Sequence, residues 1–545
     1  MDFNSDRKLF LIFLLIAGSL IFLFNLGGRD LWDPDETRYA VVAREMKETG
    51  NWILPHLNGA IYAEKPPLFF WLVNLSTFFT GENTELANRL PSALAGLITI
   101  LLTFLFGERL FHTRVGFLSS LVLATCLLFP QISRWMALDS LFTLLFLLTI
   151  YCFYRGYEKE EGRRKYFLLG GLFIGLGVLT KGPIAYLPIP ILLIFALLQK
   201  DMKKFWNRDL LFGFLLSLTI ILIWLIPACW IGGEDYTKRI LFGQTIGRLT
   251  GTGKHVHSKS FFFYFTRFPI EFIPWIVFIP GAFMFGLRKG GEKRNEFLFL
   301  SIWFTLVFFF FTLSKGKKDN YILPLYPSAA LGVGVFGDYI LRSQKRERSI
   351  ILGLFILSFL FLAALVIFLL RIPQRFYPVI EPYHILGLST LSYLLIGTGF
   401  SLFFFLKKMK WASFISLAIT FALFHLHISW ALPTQFNMQR SMKTFSENIL
   451  KRMEKGDDLI SCYFQPEGLL YYTKRPFIEA VRNKDRFTEV MHSSQRVFIV
   501  IQKGDLHQIK KDLNFEVSPL QETRVGHWDL VLISNKDVQQ EPKKE

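Results

Sequence analysis

Arg7-Lys8-Leu9-Phe10-Leu11-Ile12-Phe13-Leu14-Leu15-Ile16-Ala17-Gly18-Ser19-Leu20-Ile21-Phe22-Leu23-Phe24-Asn25-Leu26 places two cations before eighteen uncharged residues. That length approaches the ~20 apolar residues a helix needs to cross hydrocarbon. It exceeds the about 7–15 residues of a signal-peptide apolar region. The residues that follow, Gly27-Gly28-Arg29, offer no small-x-small cleavage site. The run therefore reads as an uncleaved first span, with Arg7 and Lys8 on the cytoplasmic side.

Outward from it, comparable windows lie near 90–107, 115–133, 138–154, 167–181, 183–198, 210–231, 269–287, 296–313, 321–341, 350–370, 383–406 and 411–431, which makes about thirteen transmembrane helices. The 68–80 run is too short and reads as an interfacial segment. Composition agrees: 52% of the 545 residues are hydrophobic, 19% are charged, and 60 are Phe. So little charge cannot cover three or four soluble cores, and the apolar excess must face lipid. Collagen, disorder and a disulfide scaffold are excluded; of the four cysteines, three lie in apolar runs and Cys462 stands alone in the tail.

The net charge of +18 is read as topology rather than nucleic-acid binding. With the N-terminus inside, the short inner loops and the N-terminal cations hold 24 of the 61 basic residues, and the short outer loops hold far fewer. An odd span count then puts the tail outside. The expected fold is an all-α polytopic membrane domain over residues 1–431, including a first periplasmic loop at 27–89, followed by a small soluble periplasmic α/β domain over 432–545. In the tail, 458–464, 497–501 and 528–533 read as strands, and stretches near 440–454 and 504–513 as helices.

Chemistry-bearing residues collect on the outer side. Loop 27–89 holds nine carboxylates, densest in Leu31-Trp32-Asp33-Pro34-Asp35-Glu36-Thr37-Arg38-Tyr39. Asp33 as N-cap, Pro34 at the first helical position and Glu36 three after the cap predict a helix start of the capping-box kind. Tyr39, Val42, Ala43 and Met46 would then form the apolar face of a membrane-surface helix. That leaves Asp35 free beside Arg38, as a candidate catalytic acid or base. Tyr62-Ala63-Glu64-Lys65-Pro66-Pro67 sets a lysine in a proline-stiffened loop, suited to an anionic headgroup. Arg134 and Asp139 flank a span junction, and Lys181-Gly182-Pro183 places a cation between two spans. His255 and His257 sit in one outer loop, with Arg267 at its end. Ser314-Lys315-Gly316-Lys317-Lys318-Asp319-Asn320-Tyr321 puts three lysines on the outer face against the positive-inside trend, which suggests a bound anion. No Walker, HExxH or GxSxG pattern occurs, so nothing supports ATP hydrolysis, zincin proteolysis or serine-esterase chemistry.

Trp32-x-Pro34-Asp35-Glu36-Thr37-Arg38-Tyr39-Ala40, Arg44-Glu45-Met46, Gly50-Asn51-Trp52-Ile53-x-Pro55-His56-Leu57, Glu64-Lys65-Pro66, Leu179-Thr180-Lys181-Gly182-Pro183 and Ser314-x-x-Lys317-x-x-x-Tyr321-x-Leu323-Pro324 resemble the lipid A aminoarabinose transferases. These belong to the polyprenyl-phosphate-dependent family that also contains the protein O-mannosyltransferases, all of the GT-C fold. The resemblance implies an inverting transfer of a sugar, 4-amino-4-deoxy-L-arabinose first, from undecaprenyl phosphate to lipid A or another periplasmic acceptor, at the bacterial inner membrane. The family's link to polymyxin resistance comes with it. Carried over, Asp35, Asp139 and Glu36 form the catalytic set. Lys65, Arg267, Tyr321, Tyr326, Lys181 and Lys318 form the donor-phosphate set, and Arg38, Tyr62 and Arg134 contact substrate. Glu64 with His255 or His257 resembles a divalent-cation site, although the transfer itself requires no cofactor. The partners are then the lipid-linked donor, the acceptor and membrane lipid, with no nucleic acid. A protein O-glycosyltransferase is the alternative enzyme. A flippase would need ionisable residues in mid-span, and a non-enzymatic scaffold gives no reason for the first-loop acids.

Overall fold

The computed structural model describes residues 3–159, 161–243, 259–289, 293–343, 348–369, 384–513 and 517–536. A helix or helix pair overlies each of the thirteen windows. Seven described helices are each long and apolar enough to cross a membrane, and the pair Phe263–Glu271 and Trp275–Gly286, bent by 106°, is an eighth by the same measure. Two of the other windows are broken for identifiable reasons. Pro183 and Pro188 split one window into Pro183–Tyr186 and Pro188–Leu198, and Pro324 and Pro327 split another into Asp319–Leu325 and Tyr326–Arg342. Proline lacks the N–H that a continuous helix requires. The 68–80 run forms the helix Leu68–Thr80, with Phe78 and Phe79 largely exposed.

Close helix contact depends on glycine. The Arg163–Lys181 helix packs on Arg208–Lys238 so tightly that a Cβ on Gly171 would overlap the Gly213 carbonyl. Leu138–Glu158 packs between Arg163–Lys181 and Glu85–Leu110.

The last long helix, Lys410–Arg440, continues past residue 431, and the α/β unit follows it. The unit contains strands β3 (Asp458–Cys462), β4 (Glu479–Val481), β5 (Val497–Gln502), β6 (Gln521–Val525) and β7 (Trp528–Ser534); β1 (His56–Leu57) and β2 (Ala60–Ile61) make a hairpin in the first loop. The sheet order is β4-β3-β5-β7-β6, parallel among the first three strands and antiparallel beyond. Three of the strands match the runs read from sequence; β4 and β6 are additional. Alternation assigns the faces. Phe498, Val500, Leu530 and Leu532 join the core that continues into the membrane domain, while Ile499, Ile501, Val531 and Ile533 pack a separate core.

Between the sheet unit and the membrane helices lies Asp35–Thr49, buried on nearly every side. The expected membrane-surface helix is therefore corrected: Arg44 donates to the carbonyls of Leu470 (2.9 Å) and Arg475 (3.0 Å), and Glu45 accepts from the backbone N–H of Asn58 (2.6 Å) and Gly59 (3.2 Å). Arg44 and Glu45 of its polar face meet protein instead of water.

Candidate active site

The capping reading also changes in detail. The helix starts at Asp35 behind Pro34, with no side-chain cap. Asp33 instead accepts from the Thr37 hydroxyl at 2.7 Å and lies against Gly468 of the tail unit. Burial pushes the Asp33 carboxyl up to about 7, with Glu467 adding to the rise and Thr37 and Arg38 opposing it. Glu36 does reach back to a preceding N–H, that of Trp32, at 3.1 Å.

Glu36 is corrected from catalytic candidate to anchor. It is buried, with Arg29 Nη2 at 2.8 Å, Arg89 Nε at 2.8 Å and the Met136 N–H at 3.0 Å. Burial raises the proton affinity of Glu36, but the two guanidinium charges outweigh it and hold the carboxyl down, to about 2. This one side chain ties the start of the Asp35 helix to the segment leading into Asp139. Arg134 is likewise structural: it donates to the carbonyls of Ile21 (2.7 Å) and Phe24 (2.6 Å) and is removed from the substrate set.

Asp35 points the other way. Its side chain is 49% exposed, with Lys318 Nζ at 3.1 Å and Arg38 Nη1 at 3.8 Å. Arg38 is fixed from the far side by Glu467 Oε1 at 3.1 Å. Asp139 is 8% exposed, ion-paired to Lys181 and bonded by Asn320 Nδ2 at 2.6 Å. Lys181 also sits 4.6 Å from the Tyr321 ring centroid. One loop thus touches both carboxylates, through Lys318 and Asn320. Two residues along a chain span at most roughly 7 Å, so both acids border one short stretch of that loop. Tyr39 lies close to both acids: burial, then Tyr62, Asp35 and Asp139, hold its phenol proton on well above the usual range.

The other expected residues divide. Lys65 is buried at 9% exposure, and Arg267 is half exposed with Asp319 at 3.8 Å. Tyr62 is buried and donates to Glu64 at 3.4 Å; both contribute to raising the proton affinity of Arg38. Tyr326 is corrected, because it is fully buried and donates to Glu271 at 3.2 Å. Lys181 is corrected from phosphate ligand to partner of Asp139. His255 and His257 lie outside the described residues. Among the described residues, no three His, Cys, Asp or Glu side chains group to hold a metal ion. Asn320, Glu467 and Tyr39 were not singled out as site residues by sequence. Asn320 lies inside the lysine-rich stretch and could have been found; Glu467 lies 429 residues from Arg38 and could not.

Residues 64–231 match the family described as dolichyl-phosphate-mannose-protein mannosyltransferase. The undecaprenyl phosphate-alpha-4-amino-4-deoxy-L-arabinose arabinosyl transferase 2 of Proteus mirabilis is 31% identical over 387 residues, 70% of this chain and 68% of that protein. The chain belongs to this arabinosyltransferase family. The corresponding transferase of Photorhabdus laumondii is 31% identical over 65% of this chain, and the match spans 64% of that relative's length, just under two thirds. The crystal structure of ArnT from Cupriavidus metallidurans bound to undecaprenyl phosphate aligns with a TM-score of 0.81 at 19% identity, covering 98% of this chain and 99% of that one. The arabinosyltransferase family fold thus extends through the C-terminal sheet unit.

Proposed function

We propose that this chain is an inner-membrane glycosyltransferase that moves 4-amino-4-deoxy-L-arabinose from undecaprenyl phosphate to a phosphate of lipid A on the periplasmic face. The N-terminus is cytoplasmic, about thirteen spans follow, and the sheet unit is periplasmic. Family membership supports the donor, and the loop that touches both Asp35 and Asp139 carries the reading of the site.

Before substrate enters, Lys318 and Arg38 are balanced by Asp35 and Glu467. An arriving donor phosphate draws Lys318 away and frees Asp35. The acceptor phosphate oxygen then attacks the anomeric carbon opposite the donor C–O bond. That bond's electron pair leaves on the undecaprenyl phosphate oxygen, and the anomeric configuration inverts. A phosphate leaving group needs no strong general acid; Lys65, Arg267 and Lys318 hold the charge that develops on it. A phosphate monoester, with second pKa ~6, arrives ionised, so Asp35 orients the reacting groups rather than removing a proton.

The match of residues 64–231 to mannosyltransferases favours a second reading, in which a protein hydroxyl is the acceptor and Asp35 is the general base. Mass spectrometry of lipid A and of glycoproteins, from a strain with and without the chain, tests both. Aminoarabinose on lipid A only when the chain is present supports the first. Unchanged lipid A with glycan lost from proteins supports the second and overturns the first.

A further inference from the structure

Behind the Asp35 loop, a cavity of about 50 Å³ opens between Arg29, Arg89, Arg134, Trp135, His425 and Ser429. Glu36 is the ion-pair partner of both Arg29 and Arg89, and Arg134 bonds backbone carbonyls. Two buried arginines and the part-buried Arg134 therefore line the cavity, and among the described residues the one carboxylate ion-paired to any of them is Glu36. The Arg89 N–H groups are all engaged, by Glu36 and by the carbonyls of Leu26, Arg29 and Asp30, so Arg89 adds charge rather than donors. Arg29 differs. Its Nη1 is buried with no hydrogen-bond partner, while its guanidinium lies 4.2 Å from the Trp32 centroid and 5.1 Å from that of Trp135. Burial and the Arg89 charge push the Arg29 pKa down, to about 9.

A buried charge excess is unfavourable unless an opposite charge is close and well hydrogen-bonded. Guanidinium groups suit oxyanions because their planar donor fork matches phosphate oxygens. The space also fits. Holding one water needs at least roughly 10–15 Å³, so the cavity of about 50 Å³ has room for polar oxygens. Trp135, partly exposed, lines the cavity, and indole rings are enriched at headgroup depth.

The geometry points to this cavity as a second anion site, separate from the donor site, which takes a phosphate group and completes the charge of the Glu36 anchor. The group comes from a free phosphate or from an anionic phospholipid headgroup. The inference does not depend on the proposed reaction.

The test uses the purified full chain with undecaprenyl phosphate at saturation, so that the donor site is filled. Thermal unfolding is followed against inorganic phosphate at constant ionic strength, and separately in nanodiscs of phosphatidylglycerol or phosphatidylcholine. A saturable rise in Tm is expected, with phosphate if the ligand is free and with phosphatidylglycerol only if it is a headgroup. Arg134→Gln removes one cation, and Ser429→Leu keeps all three arginines but fills the cavity. Each should weaken the response at least tenfold, and if Arg134→Gln does not fold, Ser429→Leu decides alone. In Lys65→Ala, which lacks the proposed donor contact, the response should persist, so failure of the donor reading is seen separately. No response to phosphate or phosphatidylglycerol, or an equal response in wild type and Ser429→Leu, overturns the site.

Discussion

Asp35 and Asp139 both stand in the first turn of a helix, face the same side of the membrane and are touched by the same loop, yet their surroundings are opposite. Asp35 is half open and loosely paired, 3.1 Å from a lysine that is itself 40% exposed. Asp139 is closed over by Lys181, Asn320 and the Tyr321 ring. An exposed pair contributes about 0–1 kcal/mol and exchanges partners readily, whereas a buried pair is fixed because separating it strands a charge. Two acids that look equivalent in sequence therefore differ in the structure: one is open and loosely paired, and the other is tied to the loop.

The largest expected effect follows from the open member. Asp35→Asn should lower transfer by about 10²–10⁴ while leaving thermal unfolding nearly unchanged. With a phosphate acceptor, raising the pH should restore nothing. Partial recovery at high pH would assign Asp35 to proton removal and move the acceptor to a hydroxyl.

The closed member should answer in stability instead. Lys181→Met strands Asp139 and should destabilise the protein by about 3–5 kcal/mol, read by thermal unfolding in detergent. The double variant Lys181→Met/Asp139→Asn should recover much of that loss. A well-folded Lys181→Met protein at wild-type stability would break the contrast between the two acids.

Lys65→Ala should weaken undecaprenyl phosphate binding by about 1.5–3 kcal/mol, the range for hydrogen bonds to a charged group. Equilibrium binding checks it, and unchanged affinity removes Lys65 from the donor site.

The smallest effect concerns Asp33, where the tail unit meets the Asp35 loop. Its carboxyl is raised from 3.8 to about 7 in the folded protein, so folding favours its protonated form. That contribution is present below pH 4 and is lost as the pH rises through about 7. Asp33→Asn keeps an acceptor for Thr37 without the charge. It should match wild type below pH 4 and be the more stable protein at pH 8. Parallel stability curves across that window would contradict the burial argument.

The membrane fold was legible because length and apolarity alone decide whether a helix can span. Lys318 was noticed as one of three lysines against the positive-inside trend, and Asp35 as an acid left free beside Arg38; the structure places the two 3.1 Å apart. The role of Glu36 was not, because Asp35 and Glu36 differ by 100° of helix turn: one faces the open chamber and the other faces Arg29 and Arg89, and only tertiary packing selects which. The Asp35–Thr49 helix was misread for a related reason. Its Arg44 and Glu45 look solvated in sequence but bond backbone groups of the tail and of the β1–β2 turn, contacts that no local spacing encodes. Lys181 was correctly noticed as an expensive charge, but its partner was 42 residues away.

The central claim is that the open Asp35 chamber transfers a sugar between two phosphates. The most direct measurement supplies the purified chain, in vesicles, with undecaprenyl-phosphate aminoarabinose and either intact or dephosphorylated lipid A, and follows the sugar by mass spectrometry. The account predicts aminoarabinose on the phosphates of intact lipid A, with inverted configuration, and none on the dephosphorylated form. Equal transfer to dephosphorylated lipid A, or product of retained configuration, would contradict it.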